Sequence, residues 1–276
     1  MAAAADSKSA VREYVRVRVP LLAPNEQRKR LEGCPSGRWC NLGKVVWAQV
    51  HRGFESPPLR QVMKVNRSIL PSGRIGLAVS GGSDSVALSF LLTKGGKKKN
   101  VSKRFAILHV DHGLRKESKE EYRFVKALAK RLGVPFRGTH AKVVRHKGES
   151  LEMAARRVRL AFFAKCSKTL KLDAIATGHH MDDVAETFLM KLRRASLCGI
   201  RETSEVGSIH FVRPLLGCRD AELKAYLRKY GEEWCEDASN DDRSIERNLV
   251  RHEVIPFLEK TLDRNLVKHI YTINSR

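Results

Sequence analysis

Apolar residues arrive along this chain in two rhythms. Short unbroken runs, Ile75-Gly76-Leu77-Ala78-Val79, Phe105-Ala106-Ile107-Leu108-His109-Val110 and Ala174-Ile175-Ala176-Thr177, have the length and β-prone content of buried strands. Phe136 to Thr139 reads as a weaker strand and Phe211 to Arg213 as a further one. Between them lie helical stretches. Val86 to Leu92 is apolar but for Ser89, and Ser118 to Leu132 puts Tyr122, Val125, Leu128, Ala129 and Leu132 on one face. Ser150 to Leu170 is expected to bury Leu151, Ala154, Ala155, Val158 and Phe162. Gly133 and Pro135 end one helix, while Asp220 opens another that runs to Tyr230 and closes at Gly231. Leu59 to Leu70 is expected to be a helical lead-in, Lys94 to Asn100 a basic turn, and Asn248 to Leu258 a helix up to Pro256. Strand and helix alternate over residues 70 to 230, which predicts an α/β fold: a doubly wound parallel sheet of about five strands with helices on both faces.

Composition adds a partner class. The 276 residues carry a net charge of +23, an excess that usually serves a polyanion such as nucleic acid. No apolar run reaches the ~18 residues of a membrane-spanning helix, so no membrane partner is expected. Cys34, Cys40, Cys166, Cys198, Cys218 and Cys235 form no C-x-x-C pair, which fits reduced thiols inside a cell. Residues 1–58 are Arg-rich and aperiodic, and are expected to be an extension, either an organelle transit segment (plastid or mitochondrion) or a disordered lead-in. Few serines and the acids Asp6, Glu13, Glu26 and Glu32 argue for the second, with a cytoplasmic location as the alternative. A catalytic domain is then expected over 59–256, with 257–276 a short C-terminal segment that starts a missing or truncated helical domain.

The chemistry concentrates in Ser80-Gly81-Gly82-Ser83-Asp84-Ser85, between the first strand and its helix. Glycines let the backbone approach a ligand closely, and amides at a helix N-terminus hold anions. Neither the G-x-x-x-x-G-K-[ST] nor the G-x-G-x-x-G pattern is present. Instead the loop places an acid, Asp84, where phosphates are expected, which makes sense if it holds Mg²⁺. Asp111 and His112 follow the second strand, and ligands in open α/β sheets bind beyond the carboxyl ends of strands. Glu152, Arg156 and Arg159 share one side of their helix. Gly178-His179-His180-Met181-Asp182-Asp183 ends another strand; the acids suit a helix cap, with Glu186 completing a capping box, yet paired histidines there suit metal or substrate work.

These residues resemble the pyrophosphatase-loop ATP enzymes, whose motif is S-G-G-x-D-S and whose fold is adenine nucleotide alpha hydrolase-like. The order of the remaining motifs, His109 to Arg115, Glu152 to Arg159, Gly178 to Thr187, Arg213 to Leu216, Trp234 to Asn240 and Arg247 to Arg251, is similar to that of the tRNA(Ile)-lysidine synthetases. The resemblance covers residues 66 to 256. It implies a ligase that uses ATP and Mg²⁺ to adenylate the wobble cytidine of an isoleucine tRNA with a CAU anticodon. L-lysine then displaces AMP to give lysidine, and a homodimer is left open. It further implies that Ser80, Gly81, Gly82, Ser83, Asp84, Ser85, Asp111 and His112 bind ATP. Asp84, Arg159, His179 and Asp183 would be catalytic, with Asp84 and Asp183 on the metal. Leu160 stands where the family usually has Tyr, and Arg193 to Gly199 replaces its usual Gly- and Ser-rich loop. The alternatives are another adenylating tRNA-modifying enzyme of this loop family, or an inactive truncated RNA-binding form.

Overall fold

A computed structural model of the chain describes residues 63–94, 98–113, 118–192, 195–196, 199–236, 242–243 and 245–275. The extension expected over 1–58 lies outside them. Ile75–Ala78 (β1) leads through the glycine loop into Ser83–Thr93 (α1). Then come Lys98–Arg104 (α2), Phe105–Asp111 (β2), Ser118–Leu132 (α3), Phe136–His140 (β3), Leu151–Leu170 (α4), Ala174–Ala176 (β4) and Met181–Leu192 (α5). A hairpin of Thr203–Val206 (β5) and Ile209–Val212 (β6) precedes Asp220–Lys229 (α6). Glu246–Leu249 (α7), a π turn over Val250–Val254, Ile255–Thr261 (α8) and Leu266–Asn274 (α9) follow. No described helix is long and apolar enough to cross a membrane.

The sheet order is β3-β2-β1-β4-β6-β5, parallel except at the β5–β6 edge. Period two sorts the strand residues between two faces. Ile75, Leu77, Phe105, Ile107, Ala174 and Ala176 pack with α1, α3 and α6. Ala106, Leu108 and Ile175 face the other way, onto Phe163, Cys166 and Leu170 of α4. Helices thus cover both faces, as the alternation predicts. The buried stripe of α4 is shifted from the expected one: Ala154 is buried, but Leu151 is 46% exposed and Phe163 takes the place assigned to Phe162.

Four local expectations are corrected. The sheet has a sixth strand, β5, which is mostly polar and lies half-exposed at an edge, so its side chains carry little hydrophobic pattern. Its signal is the two-residue turn Gly207-Ser208, where Gly207 has φ +59°. Residues 63–70 are not helical: the Asn66 side chain accepts from the amide and hydroxyl of Ser68, and the Asn66 amide donates to the Pro214 carbonyl. That side-chain turn competes with helix formation. The last three residues of the expected basic turn, 98–100, already belong to the helix Lys98–Arg104. Pro256 does not stop its helix, because the backbone widens into a π turn just before it, with the Ile255 amide bonded to the Val250 carbonyl. Beyond it, Val267 and Ile270 of α9 bury against Met181, Val184 and Ala185 of α5.

Candidate active site

From β1 the chain runs out through β2 and β3, then returns to β4 on the other flank of β1. That reversal is where open sheets bind ligands. A cleft of about 1140 Å³ opens there, lined by the β1–α1 loop, the ends of β2 and β4, and parts of α4, α5 and α6.

The glycine loop is tied from within. Gly81 sits at φ +112°, a conformation that favours glycine. Ser85 is buried; its hydroxyl accepts from the Ser80 and Gly81 amides at 3.2 and 3.3 Å and donates to the Gly82 carbonyl at 2.9 Å. It therefore shapes the loop, whereas Ser80 is exposed at the cleft and bonds the Gly82 amide at 3.3 Å. Gly82 is the N-cap of α1 and no side chain caps the helix, so its first amides are available to an anion. The Cys235 amide braces the loop by donating to the Gly81 carbonyl at 2.9 Å.

Gly178 is where the second loop meets the first. A Cβ there would lie 2.9 Å from the carbonyl carbon of Asp84 and 3.0 Å from the Ser85 nitrogen, both backbone atoms. Gly178→Ala is expected to push the first turn of α1 away, costing about 1–3 kcal/mol of stability. It should also weaken nucleotide binding at least tenfold. Nucleotide titration of the variant checks this, and unchanged affinity would show that the two loops move independently of the ligand.

The strand-end acids and histidines are brought together unevenly. Asp84 Oδ2 lies 3.6 Å from Nε2 of His180, a ring only 2% exposed. Asp183 Oδ2 is 3.6 Å from the same nitrogen, and Asp182 Oδ2 is 3.5 Å from Nδ1. Burial works against charge on this imidazole, but contacts with Asp182 and Asp84 and the charge of Asp183 outweigh it and raise the pKa well above 6.5. His179 is the opposite case. Burial drives its pKa down to about 4, leaving a neutral ring whose Nδ1 meets the Thr177 hydroxyl at 2.8 Å. Burial tends to raise Asp84, yet contact with His180 and the Ser83 hydroxyl bring it below the usual carboxylate value.

Asp183 is heavily engaged. Its Oδ2 accepts from the His180 amide at 3.0 Å, as the third helical residue of a capping box does, and its Oδ1 pairs with Arg247 at 3.0 Å. Glu186 does not complete the capping box: it is fully buried and bonds Arg247 and Arg251. Among the described residues, Asp84, His180 and Asp220 have ligand atoms within 4.8 Å of one another and could hold a cation, so Asp220 joins Asp84 there. The sequence presents Asp220 only as a helix start and gives Arg247 and Arg251 no separate role. The i, i+4 spacing of those arginines was the available signal.

At the end of β2, Asp111 accepts from the Gly113 amide at 2.7 Å and pairs with His140 at 2.7 Å. His112 is half-buried in the cleft; burial and then the charge of Arg159 lower its pKa. Arg159 lines the same cleft from α4. Every site residue expected from the sequence, apart from Gly81, therefore lines one cavity, and Gly81 lies in its phosphate loop.

Cys235 also lines the cleft, but burial, with Glu121 and Glu120 nearby, pushes its thiol up to about 12 against an ordinary 9.0. The thiolate fraction at pH 8 falls by about a thousandfold, and the greater nucleophilicity of a more basic thiolate returns roughly half of that exponent. Iodoacetamide is expected to label Cys235 about 30-fold more slowly in the native protein than in urea, with the rate climbing as pH rises. Site-resolved mass spectrometry reads this directly, and equal rates would place a normal thiol in the cleft.

A parallel-dominated sheet with an uncapped phosphate loop after its first strand, facing an acid and histidine cluster across the switch point, defines a nucleotide-binding α/β domain. The chain belongs to the PP-loop domain family, which matches residues 57–258. It is similar to the tRNA(Ile)-lysidine synthase of Thermus thermophilus, 44% identical over 197 residues, covering 70% of this chain and 37% of that protein. The tRNA(Ile)-lysidine synthase of Zymomonas mobilis is 37% identical over 213 residues, covering 72% of this chain and 62% of that one. This chain spans from about a third to under two thirds of the length of these curated relatives. Among solved structures, the U34-tRNA thiolase NcsA from Methanococcus maripaludis shares the fold, with a TM-score of 0.59 over 76% of each chain at 15% identity.

Proposed function

We propose that this protein ligates L-lysine to the wobble cytidine of an isoleucine tRNA with a CAU anticodon, consuming ATP and releasing AMP and pyrophosphate. The observation that carries this reading is the match to tRNA(Ile)-lysidine synthases over about 70% of the chain, beside a PP-loop domain match over residues 57–258 that takes in nearly all of the cleft lining. In the proposed reaction the cytidine O2 attacks the α-phosphorus of ATP and pyrophosphate leaves. The ε-amine of lysine then attacks C2, and the oxygen departs with AMP.

The residues divide this work by their electrostatics. The free amides at the start of α1 and the Ser80 hydroxyl hold the departing pyrophosphate. Asp84, with oxygen donors and no lysine or arginine ion pair among the described residues, suits Mg²⁺, which when bound neutralises phosphate charge. Arg159 steadies the adenylate from the α4 side of the cleft, where a fixed guanidinium suits phosphate. His179, neutral at pH 7, is able to take the proton that the attacking amine must lose. Asp183 faces the incoming lysine ammonium, restrained by its arginines. The basic charge of the chain serves the tRNA.

The test is lysine-dependent AMP release with a CAU-anticodon tRNA and with the same tRNA carrying another anticodon. Release is expected only with lysine and the first tRNA, and its KM for tRNA should rise steeply with salt. Release driven by another amine donor or by sulfide would move the protein to a different adenylating activity of the family. Absence of ATP–pyrophosphate exchange would favour an inactive RNA-binding form.

A further inference from the structure

We infer that Asp84, His180 and Asp220 form a divalent-cation site belonging to the protein itself, which binds an ion that accepts nitrogen, Mn²⁺ rather than Mg²⁺, before any nucleotide arrives. The inference rests on reading the cleft as the ATP site. It goes further in naming His180 and Asp220 as ligands and in ranking the ions.

Charge points to the site first. Four carboxylates converge on this wall, and three have a cation of their own. Asp182 pairs with Arg219 at 2.8 Å, Asp183 with Arg247 at 3.0 Å, and Asp220 with Lys224 at 2.9 Å. Among the described residues Asp84 has no lysine or arginine within ion-pair distance; its one ion-pair contact is the His180 ring at 3.6 Å, with the charge of Lys224 farther off. A divalent ion between Asp84, His180 and Asp220 would take over as the counter-charge of Asp84, with release of the proton on His180 Nε2.

The histidine points to it independently. His180 is 2% exposed and its buried Nδ1 has no hydrogen-bond partner. A histidine that ligates a metal through one nitrogen usually donates the other N–H to a carboxylate, which fixes the ring. Asp182 stands 3.5 Å from Nδ1, and is itself fixed by Arg219 and by the Asp220 amide at 2.8 Å. Nε2 then faces Asp84. Asp182 is thus a positioning residue, and a small closure of the ring onto it would satisfy the orphaned nitrogen. An imidazole with two carboxylates is a donor set for Mn²⁺ or other first-row ions, whereas Mg²⁺ prefers oxygen throughout.

The experiment is Mn²⁺ titration of the full chain without ATP, followed by electron paramagnetic resonance. One ion per chain with ¹⁴N coupling from a single imidazole is expected, with at least tenfold weaker displacement by Mg²⁺ than by Zn²⁺. His180→Gln should abolish the nitrogen coupling and weaken Mn²⁺ binding tenfold or more. Asp220→Asn, a change at a partly exposed residue that keeps the fold, should weaken binding similarly while retaining the coupling. No Mn²⁺ binding, binding without ¹⁴N coupling, or indifference to Asp220→Asn would overturn the site. AMP release in Mg²⁺, measured in parallel, keeps the two readings apart. Turnover without the nitrogen signal defeats this inference alone, and the signal without turnover defeats the lysidine reading alone.

Discussion

Asp84→Asn is expected to reduce lysine-dependent AMP release by roughly three orders of magnitude while leaving the fold intact. The substitution is nearly isosteric. The introduced amide oxygen can still accept from the Ser83 hydroxyl, which lies 3.1 Å from Asp84 Oδ1, and the side chain sits in the first turn of α1 rather than in the packed core. What is lost is the negative charge that faces the phosphates and the one carboxylate of the cluster without a lysine or arginine among the described residues. The signature is a split between binding and chemistry. Metal-free ATP should bind as well or better, because a charge repelling the phosphates is gone, while turnover collapses. Isothermal titration of ATP with chelator, beside AMP release with Mg²⁺, separates the two. Retained turnover in Asp84→Asn would remove this residue from the reaction.

The same loop shows how far the chain could be read without coordinates. The strand, glycine turn and helix were legible because each has its own apolar rhythm, and the S-G-G-x-D-S spacing fixes where the amides point. The individual roles were not. Ser85 looks like Ser80 in the sequence, yet its hydroxyl is buried in holding the loop together, and only packing around Gly81 and Gly82 distinguishes them. His179 and His180 are neighbours whose pKa values shift in opposite directions, because one ring is buried beside a threonine and the other among three carboxylates. Asp220 lies far along the chain from Asp84, and only the placement of α6 beside α1 makes them partners. The edge strand β5 was missed for a related reason. A half-exposed strand shows little hydrophobic alternation.

The largest effect on stability is expected from removing both arginines that hold Glu186. Its carboxylate is 0% exposed and accepts from Arg251 Nε at 2.5 Å and Nη2 at 3.2 Å, and from Arg247 Nε at 2.7 Å. The arginines sit on α7 and in the π turn, so the pair ties the C-terminal helices to α5, the helix that starts in the cleft. A buried charge stripped of its partners costs about 3–5 kcal/mol, more than the pair itself contributes over an apolar replacement. Arg247→Met or Arg251→Met alone leaves one guanidinium on Glu186 and should cost less than half of the double change, so the two effects are not additive. Adding Glu186→Met to the double variant should restore the part of the loss that comes from Glu186, leaving the share of Asp183, which also pairs with Arg247 and Arg251 and keeps only the His180 ring beside it. That rescue distinguishes an electrostatic lock from simple loss of arginine packing, which a third substitution would worsen. Urea melts of the four variants give the comparison. A double variant within about 0.5 kcal/mol of wild type, as for an ordinary surface pair, would mean that Glu186 reaches water when its arginines leave. The tie between cleft and C-terminal helices would then rest on Val267 and Ile270 packing against α5.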